Sequence, residues 1–448
     1  MAVVAPFPAV RYDPSKVGGL DRVLTQPYDK ITPRMQREYF ERSPYNLARI
    51  IRGEVKESDS ASDNVYTRAA AYFRNWLEQG ILVERSTPAL YAYFQQFNIP
   101  GDTGHPPLLR KGFIGLGKLE EYSSGVVFRH EQTLSAPKAD RLDLLRATRA
   151  HFGQIFMLYT DPGRSIDGLL DHVAIRAPLA RLEDDYGTVH TLWDIENPQE
   201  IQIIQDQMQD RKLIIADGHH RYETALNFQR ECRSGKPHSG AEACSYVMMT
   251  FINMDSDGIV ILPTHRLISG IPEFSRAGFL SRAARYFSGR EYPYSGPGQR
   301  NIVMRKMRQD MATAADSGVT AIGASFQGSD AFYMLHLRNE VKLEELLKDL
   351  APSERSLDVT ILHRIAFGLC LGIDEDAVRK EKVITYVREF EEGAQSVAEG
   401  KAQACFFLNP VRMEQVREIA FEGKFLPQKS TDFYPKLLSG LTIYKVEN

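Results

Sequence analysis

The chain has 448 residues, more than one ordinary core accommodates and enough for two or three domains. Its 43% hydrophobic and 25% charged residues are a globular balance. A net charge of −3 counts against a bulk electrostatic hold on nucleic acid or anionic membranes. No apolar run is long enough to span a bilayer, and the start "MAVVAPFPAVRYDP" lacks the basic region of a signal peptide. The first predicted features are turns, with Pro14, Pro27, Pro33 and Pro44, plus a short helix at "PRMQREYFERS". An amphipathic helix is predicted over 64–79, ended by Gly80. Strands are predicted over 90–99, 111–120 and 125–133, then a helix over 140–152 and a strand over 154–160. A strand over 188–195 and a helix over 198–210 lead to "LIIADGHHRYETALNF", residues 213–228. "CSYVMMTFINMD" and "GIVILPTHRLI" read as a hairpin around Asp257-Gly258. The pattern breaks at "SGIPEFS", near 270. Beyond it come helices over 274–286, 301–315, 340–349, 357–371, 391–399 and 411–421, and strands over 331–337, 382–388 and 402–408. The mixture predicts an α+β (mixed α/β) fold, divided into 1–270 and a C-terminal α/β region over 271–448.

The strongest chemical signal is Asp217-Gly218-His219-His220-Arg221. An apolar run, Leu213–Ala216, precedes it, and Tyr222, Ala225, Leu226 and Gln229 share one helical face after it. The cluster therefore crowns a strand-to-helix turn, with Asp217 expected as the helix cap. Two readings stand. One is a capped helix end with solvated histidines. The other is an anion site: Gly218 admits a phosphate, the helix N-terminus donates N–H groups, Arg221 offers a fork, and His219 and His220 donate or move protons near neutral pH. Neighbouring histidines lie about 100° apart on a helix, so a shared zinc ranks below a phosphate.

Other clusters also carry two readings. In "HEQTLSAPKADRL", Asp140 caps a helix amid ordinary ion pairs, or Glu131 is a base and Lys138 or Arg141 meets phosphate. The segment lacks the second histidine of a zincin. "GFIGLGKL" has Walker A spacing at Gly112, Gly117 and Lys118. Leu119 stands where magnesium needs Ser or Thr, so it reads as a glycine-containing strand. "PYDK" is a turn or supplies Asp29 as a carboxylate, and "PTHR" ends a strand with His265 and Arg266. "KSTDFYPK" is a packed tail or a second polar wall carrying Lys429, Ser430 and Lys436. Cys232, His238 and Cys244 lack a tight zinc spacing, and all four cysteines fit reduced thiols in a cytoplasm.

The DGHHR stretch resembles the phosphate loop of the ParB/sulfiredoxin superfamily. The wider chain resembles the DUF1015 family. The likeness rests on "QPYDKIT", "SPYNLARI", "HEQTLSAPKADRLDLLRAT", "ADGHHRYETA", "LPTHRLI", "LDVTILH" and "LPQKSTDFYPKLLSGL". Leu426 stands where the family tail has Met. The resemblance implies a ParB/sulfiredoxin-like N-terminal region and a nucleoside di- or triphosphate ligand with Mg²⁺. It implies phosphates on Gly218, His219, His220 and Arg221, with Lys138 and Arg141 beside them. Asp217 or Glu131 would orient or deprotonate an acceptor. Asp29, His130, His265, Arg266, Lys429 and Ser430 would form an outer wall. Relatives in the superfamily include kinases of free serine, a nucleotide-dependent reductase and nucleotide-gated DNA clamps. The implied functions are therefore phosphoryl transfer to a small hydroxylated metabolite, a nucleotide-sensing clamp, or a non-catalytic protein whose turn is only a helix end.

Overall fold

The computed structural model describes residues 1–101, 104–131, 136–234 and 243–446. His238 and residues 132–135 of the "HEQTL" segment lie outside them. The chain forms two compact units, Met1–Val260 with Pro435–Asn448, and Ile261–Tyr434. The division thus falls at Val260, ten residues before the pattern break, and the last stretch of chain belongs to the first unit. The fold is mixed α/β, as the sequence predicts.

The first unit is built on a nine-stranded mixed sheet. Its path runs Val127–Phe128, Leu213–Asp217, Ile155–Tyr159, Tyr246–Asn253, Leu108–Lys118, Leu90–Phe97, Val189–Ile195 and Ala180–Glu183. Val4–Ala5 adds to Leu108–Lys118 off this path. Two pairings are parallel, Leu213–Asp217 with Val127–Phe128 and Tyr246–Asn253 with Ile155–Tyr159. The helix His219–Arg233 packs Tyr222, Ala225 and Leu226 into the same core as Leu213, Ile215, Met249 and Phe251. Tyr222 is fully buried, and its hydroxyl donates to the Glu120 carbonyl at 2.7 Å, so the helix is pinned at its first turn.

The expected hairpin around Asp257-Gly258 does not form. Tyr246–Asn253 is buried along nearly its whole length and pairs on both edges, with Leu108–Lys118 and Ile155–Tyr159. The chain still turns at Gly258, where φ is +87° and an added Cβ would stand 2.6 Å from the Leu109 carbonyl oxygen. His265–Ile268 then joins the sheet of the second unit. The Walker-spaced glycines lie inside Leu108–Lys118, which continues as a strand through all of them. At Gly112 a Cβ would stand 2.6 Å from the Phe251 carbonyl oxygen, which accounts for a glycine there without a phosphate.

The second unit holds a six-stranded antiparallel sheet. Its order is Phe287–Pro293, Ala331–Leu337, Ala321–Phe326, Ala404–Phe407, His265–Ile268 and Ile384–Val387. The helices Gly296–Asp316 and Phe390–Ala398 give its core Met304, Met307, Met311, Phe390, Ala394 and Val397. No helix among the described residues is long and apolar enough to cross a membrane. All four cysteines are free thiols.

The final stretch is woven into the first unit. Tyr444–Lys445 pairs with Ala150–His151, Ile443 bridges Val10, and Ser439 bridges Thr25. This threading brings Lys436 to the Asp217 turn.

Candidate functional site

The strand Leu213–Asp217 runs directly into the helix His219–Arg233, and Gly218 makes the joint. Its φ of +99° lies in the left-handed region, where side chains are strained. A Cβ there would also stand 2.9 Å from Nε and Nη2 of Arg221. Glycine therefore serves twice, letting the chain turn and letting the arginine lie across the turn.

The N-cap residue of this helix is Gly218, which has no side chain to cap it. The expectation that Asp217 does so is corrected: its carboxylate faces two cations instead. Oδ2 accepts from Nη2 of Arg221 at 2.7 Å, and Oδ1 accepts from Nζ of Lys436 at 2.9 Å. Burial works against the Asp217 charge, but Lys436, Arg221 and Lys30 outweigh it and hold the carboxyl well below the usual range. A carboxylate so firmly ionised is a poor proton acceptor near neutrality. Its evident work is to fix the two cations beside an uncapped helix start.

The histidine pair divides. His220 is half-buried on the first helical turn. His219 is buried, and its ring meets that of His130 edge-to-face with centroids 4.9 Å apart. Burial lowers the His130 value to about 4, against a hydrogen bond to the Ile215 backbone and the Asp217 charge. Burial also drives His219 well below its ordinary value, with His130 adding to the fall. Both rings are therefore neutral at pH 7, and the expectation of histidines moving protons there fails for His219. His219 Nε2 is buried and has no hydrogen-bond partner among the described residues.

This arrangement makes a stability prediction. The folded value of His130 lies below the unfolded one of about 6.5. Its contribution is thus complete above that value and is lost as pH falls toward about 4. Between pH 7 and pH 5 it should account for roughly 2 kcal/mol of lost stability. Urea unfolding of wild type and His130→Phe at the two pH values checks this. A variant with an undiminished pH slope would refute it.

Arg221 lines a cleft of about 560 Å³, open mouth included, with Tyr28, Arg141, Thr224 and Ser439 also on its walls. Gly153 lets the chain pass close by, since a Cβ there would stand 3.3 Å from Nη1 of Arg221. Arg221 Nε and the Oγ1 of buried Thr224 have no hydrogen-bond partner among the described residues. Both are groups that a bound anion would satisfy.

Several expected residues are differently placed. Lys138 pairs with Glu223, which also holds Arg129. Arg141 does line the cleft, but Nε and Nη2 bind Asp140, Nη1 binds the Ile51 carbonyl, and the guanidinium lies 4.1 Å over the Tyr28 ring. Asp29 is exposed, whereas its neighbours Tyr28 and Lys30 face the site, one on the cleft wall and one through its charge on Asp217. Glu131 directly follows His130 and is half-buried. His265, Arg266, Lys429 and Ser430 belong to the second unit. Among the described residues no group of three His, Cys, Asp or Glu side chains could hold a metal ion. Both oxygens of Asp217 face cations, so it does not fit a magnesium ligand in this arrangement. Sequence reasoning missed Lys436 as the second partner of Asp217, although "KSTDFYPK" contains it, and it missed Thr224, Gly153 and Ser439.

Fold and turn together define a two-unit α+β protein with a cationic, uncapped strand-to-helix turn in its first unit. The chain belongs to the family described as "Protein of unknown function (DUF1015)", which matches residues 4–360. No curated protein matches it. Among solved structures, a free serine kinase in complex with AMP is similar at 12% identity and a TM-score of 0.35, covering 72% of this chain and 88% of that one. SbnI with a C-terminal truncation, from Staphylococcus aureus, is similar at 9% identity and a TM-score of 0.33, covering 73% and 87%. A conserved hypothetical protein from Pyrococcus furiosus is similar at 11% and 0.31, covering 69% and 87%.

Proposed function

We propose that this protein binds a nucleotide by its phosphates at Gly218–Arg221 and transfers a phosphoryl group to a small hydroxylated metabolite. The observation that carries the reading is the turn itself. An uncapped helix start stands beside Arg221 and Lys436, two cations that share the single carboxylate of Asp217. Lys30 adds positive charge felt at Asp217, beside the positive end of the helix dipole. The buried Nε of Arg221 and Oγ1 of Thr224 would gain partners from phosphate oxygens.

Phosphoryl transfer is mainly positioning and charge stabilisation. The acceptor oxygen attacks the terminal phosphorus, and the bond from phosphorus to the bridging oxygen breaks. The nucleotide leaves with one phosphate fewer, and the acceptor proton passes to a carboxylate. Asp217 is too firmly ionised to suit that last role, so Glu131 takes it in this reading. Magnesium, where used, would arrive on the phosphates rather than on Asp217. Serine as acceptor rests on the ParB/sulfiredoxin resemblance alone.

The test is a thermal-shift screen of ATP, ADP, CTP and GTP with Mg²⁺, followed by transfer of labelled phosphate into a pool of hydroxylated metabolites. A nucleotide at a hundred times its dissociation constant should stabilise the fold by roughly 2.7 kcal/mol. Glu131→Gln should keep the shift and lose the transfer. Binding without transfer, joined to DNA-dependent hydrolysis, would favour the clamp. No shift with any nucleotide would leave a structural helix end.

A further inference from the structure

The second unit contains a buried cation that no carboxylate among the described residues answers. Arg266 is 1% exposed. Its Nε donates to Nε2 of His363 at 3.3 Å, Nη1 to the Thr264 carbonyl, and Nη2 to the carbonyls of Gln428 and Lys429 at 3.4 and 3.2 Å. Every one of these acceptors is neutral, since burial keeps the His363 imidazole far below its ordinary value. They satisfy four of the five N–H groups of a guanidinium. Among the described residues Arg266 has no ion-pair partner, and burial lowers its own value to about 10. A buried, unanswered charge is destabilising, and such groups concentrate at binding sites.

Arg266 also has an opening beside it. It lines a cleft of about 600 Å³, open mouth included, whose walls carry Asp358, Asn409, Arg412 and Thr320. Arg412 is the N-cap residue of the helix Met413–Phe421, whose start Gln415 caps, and its Nη1 donates to the Ala315 carbonyl at 3.4 Å, so a second guanidinium shares the cleft with the first. The one carboxyl on the walls is Asp358. Burial raises it to about 6 despite hydrogen bonds from Thr320 and Asn409 and the charge of Arg412. Its charge is felt with that of Arg412, and it is not among the charges felt by Arg266.

We infer that this cleft is a second ligand site, distinct in its residues from the Gly218 turn, and that it takes a small anion between the Arg266 and Arg412 guanidinium groups. The ligand carries a phosphate or a carboxylate: Arg266 has one N–H left for it, and the Arg412 guanidinium offers the fork that matches either group. Asp358 limits affinity, because its ionised form repels the same anion.

Calorimetric titration with inorganic phosphate, and separately with malonate, tests the inference in an Arg221→Ala background, which weakens the other proposed anion site. Arg412 is exposed, so Arg412→Gln should fold normally. Added to that background, it should weaken binding at least tenfold, and Asp358→Asn should strengthen it severalfold. Phosphate binding alone identifies a phosphoryl ligand, and malonate binding alone a carboxylate ligand; either outcome supports the site. Binding of neither probe overturns it. So does binding that both substitutions leave unchanged, because an anion in this cleft must respond to its charges. Nucleotide binding by otherwise wild-type protein is unaffected by these outcomes, so the proposal for the first unit stands or fails separately.

Discussion

Arg221→Ala should weaken binding of a phosphate-bearing ligand by about 1.5–3 kcal/mol, roughly 10–150-fold. The estimate is that of one charge-assisted hydrogen bond. Arg221 lies across the Gly218 turn and onto the cleft wall, so a phosphate at the helix start falls within its reach. Asp217 keeps Lys436 in the variant, which limits damage to the fold. Titration with the nucleotide that gives the largest thermal shift reads the effect, with unfolding of the free variant as control. An unchanged affinity would remove Arg221 from the site and with it the phosphate reading of the turn.

Asp217→Ala should be the most destabilising single change at the turn, by about 2–4 kcal/mol. Losing one member of a buried charge cluster leaves the others facing each other, here Arg221 and Lys436. The side chains are 21%, 16% and 9% exposed, so solvent screens part of the effect. Acid should erase the difference between wild type and variant. The folded value of Asp217 is depressed, so its stabilisation is present above the unfolded value of about 3.9 and is lost as pH falls below it. Denaturant unfolding at pH 7, 4 and 3 measures this. A difference that persists undiminished at low pH would mean that packing, not charge, explains Asp217.

Local chemistry was legible in the sequence where the relevant neighbours are close in the chain. The strand, the glycine joint and the helix of the DGHHR turn all lie within residues 213–233, and periodicity read them correctly. Lys436 lies 219 residues from its partner, and no local pattern could pair them. The turn at Asp257-Gly258 was read from its chemistry, yet the pairing was wrong. A turn fixes the path of a few residues, while pairing depends on which edges bury a strand. Ala321–Phe326 was missed because "AIGASF" is mostly small and buried throughout, without alternation and with only Ile322 and Phe326 as strand formers. Phe287–Pro293 was missed for the opposite reason: it is a mostly exposed edge strand carrying Gly and Pro. Asp29 is the exposed residue of "PYDK", a single turn of tight helix, while Tyr28 beside it lines the cleft.

The return of residues 435–446 to the first unit sets an order of events during synthesis. The ribosome must produce the whole stretch 261–434 before Lys436 exists, a wait of roughly 10–35 s at about 5–20 residues per second. Through that interval Asp217 can meet Arg221 but not Lys436, and the edge Ala150–His151 awaits Tyr444–Lys445. The cationic turn therefore matures only after the second unit has been made. A polypeptide released early within the second unit would carry the DGHHR letters but not the assembled charge cluster. In this chain, synthesis of the whole second unit is written into the electrostatics of one carboxylate.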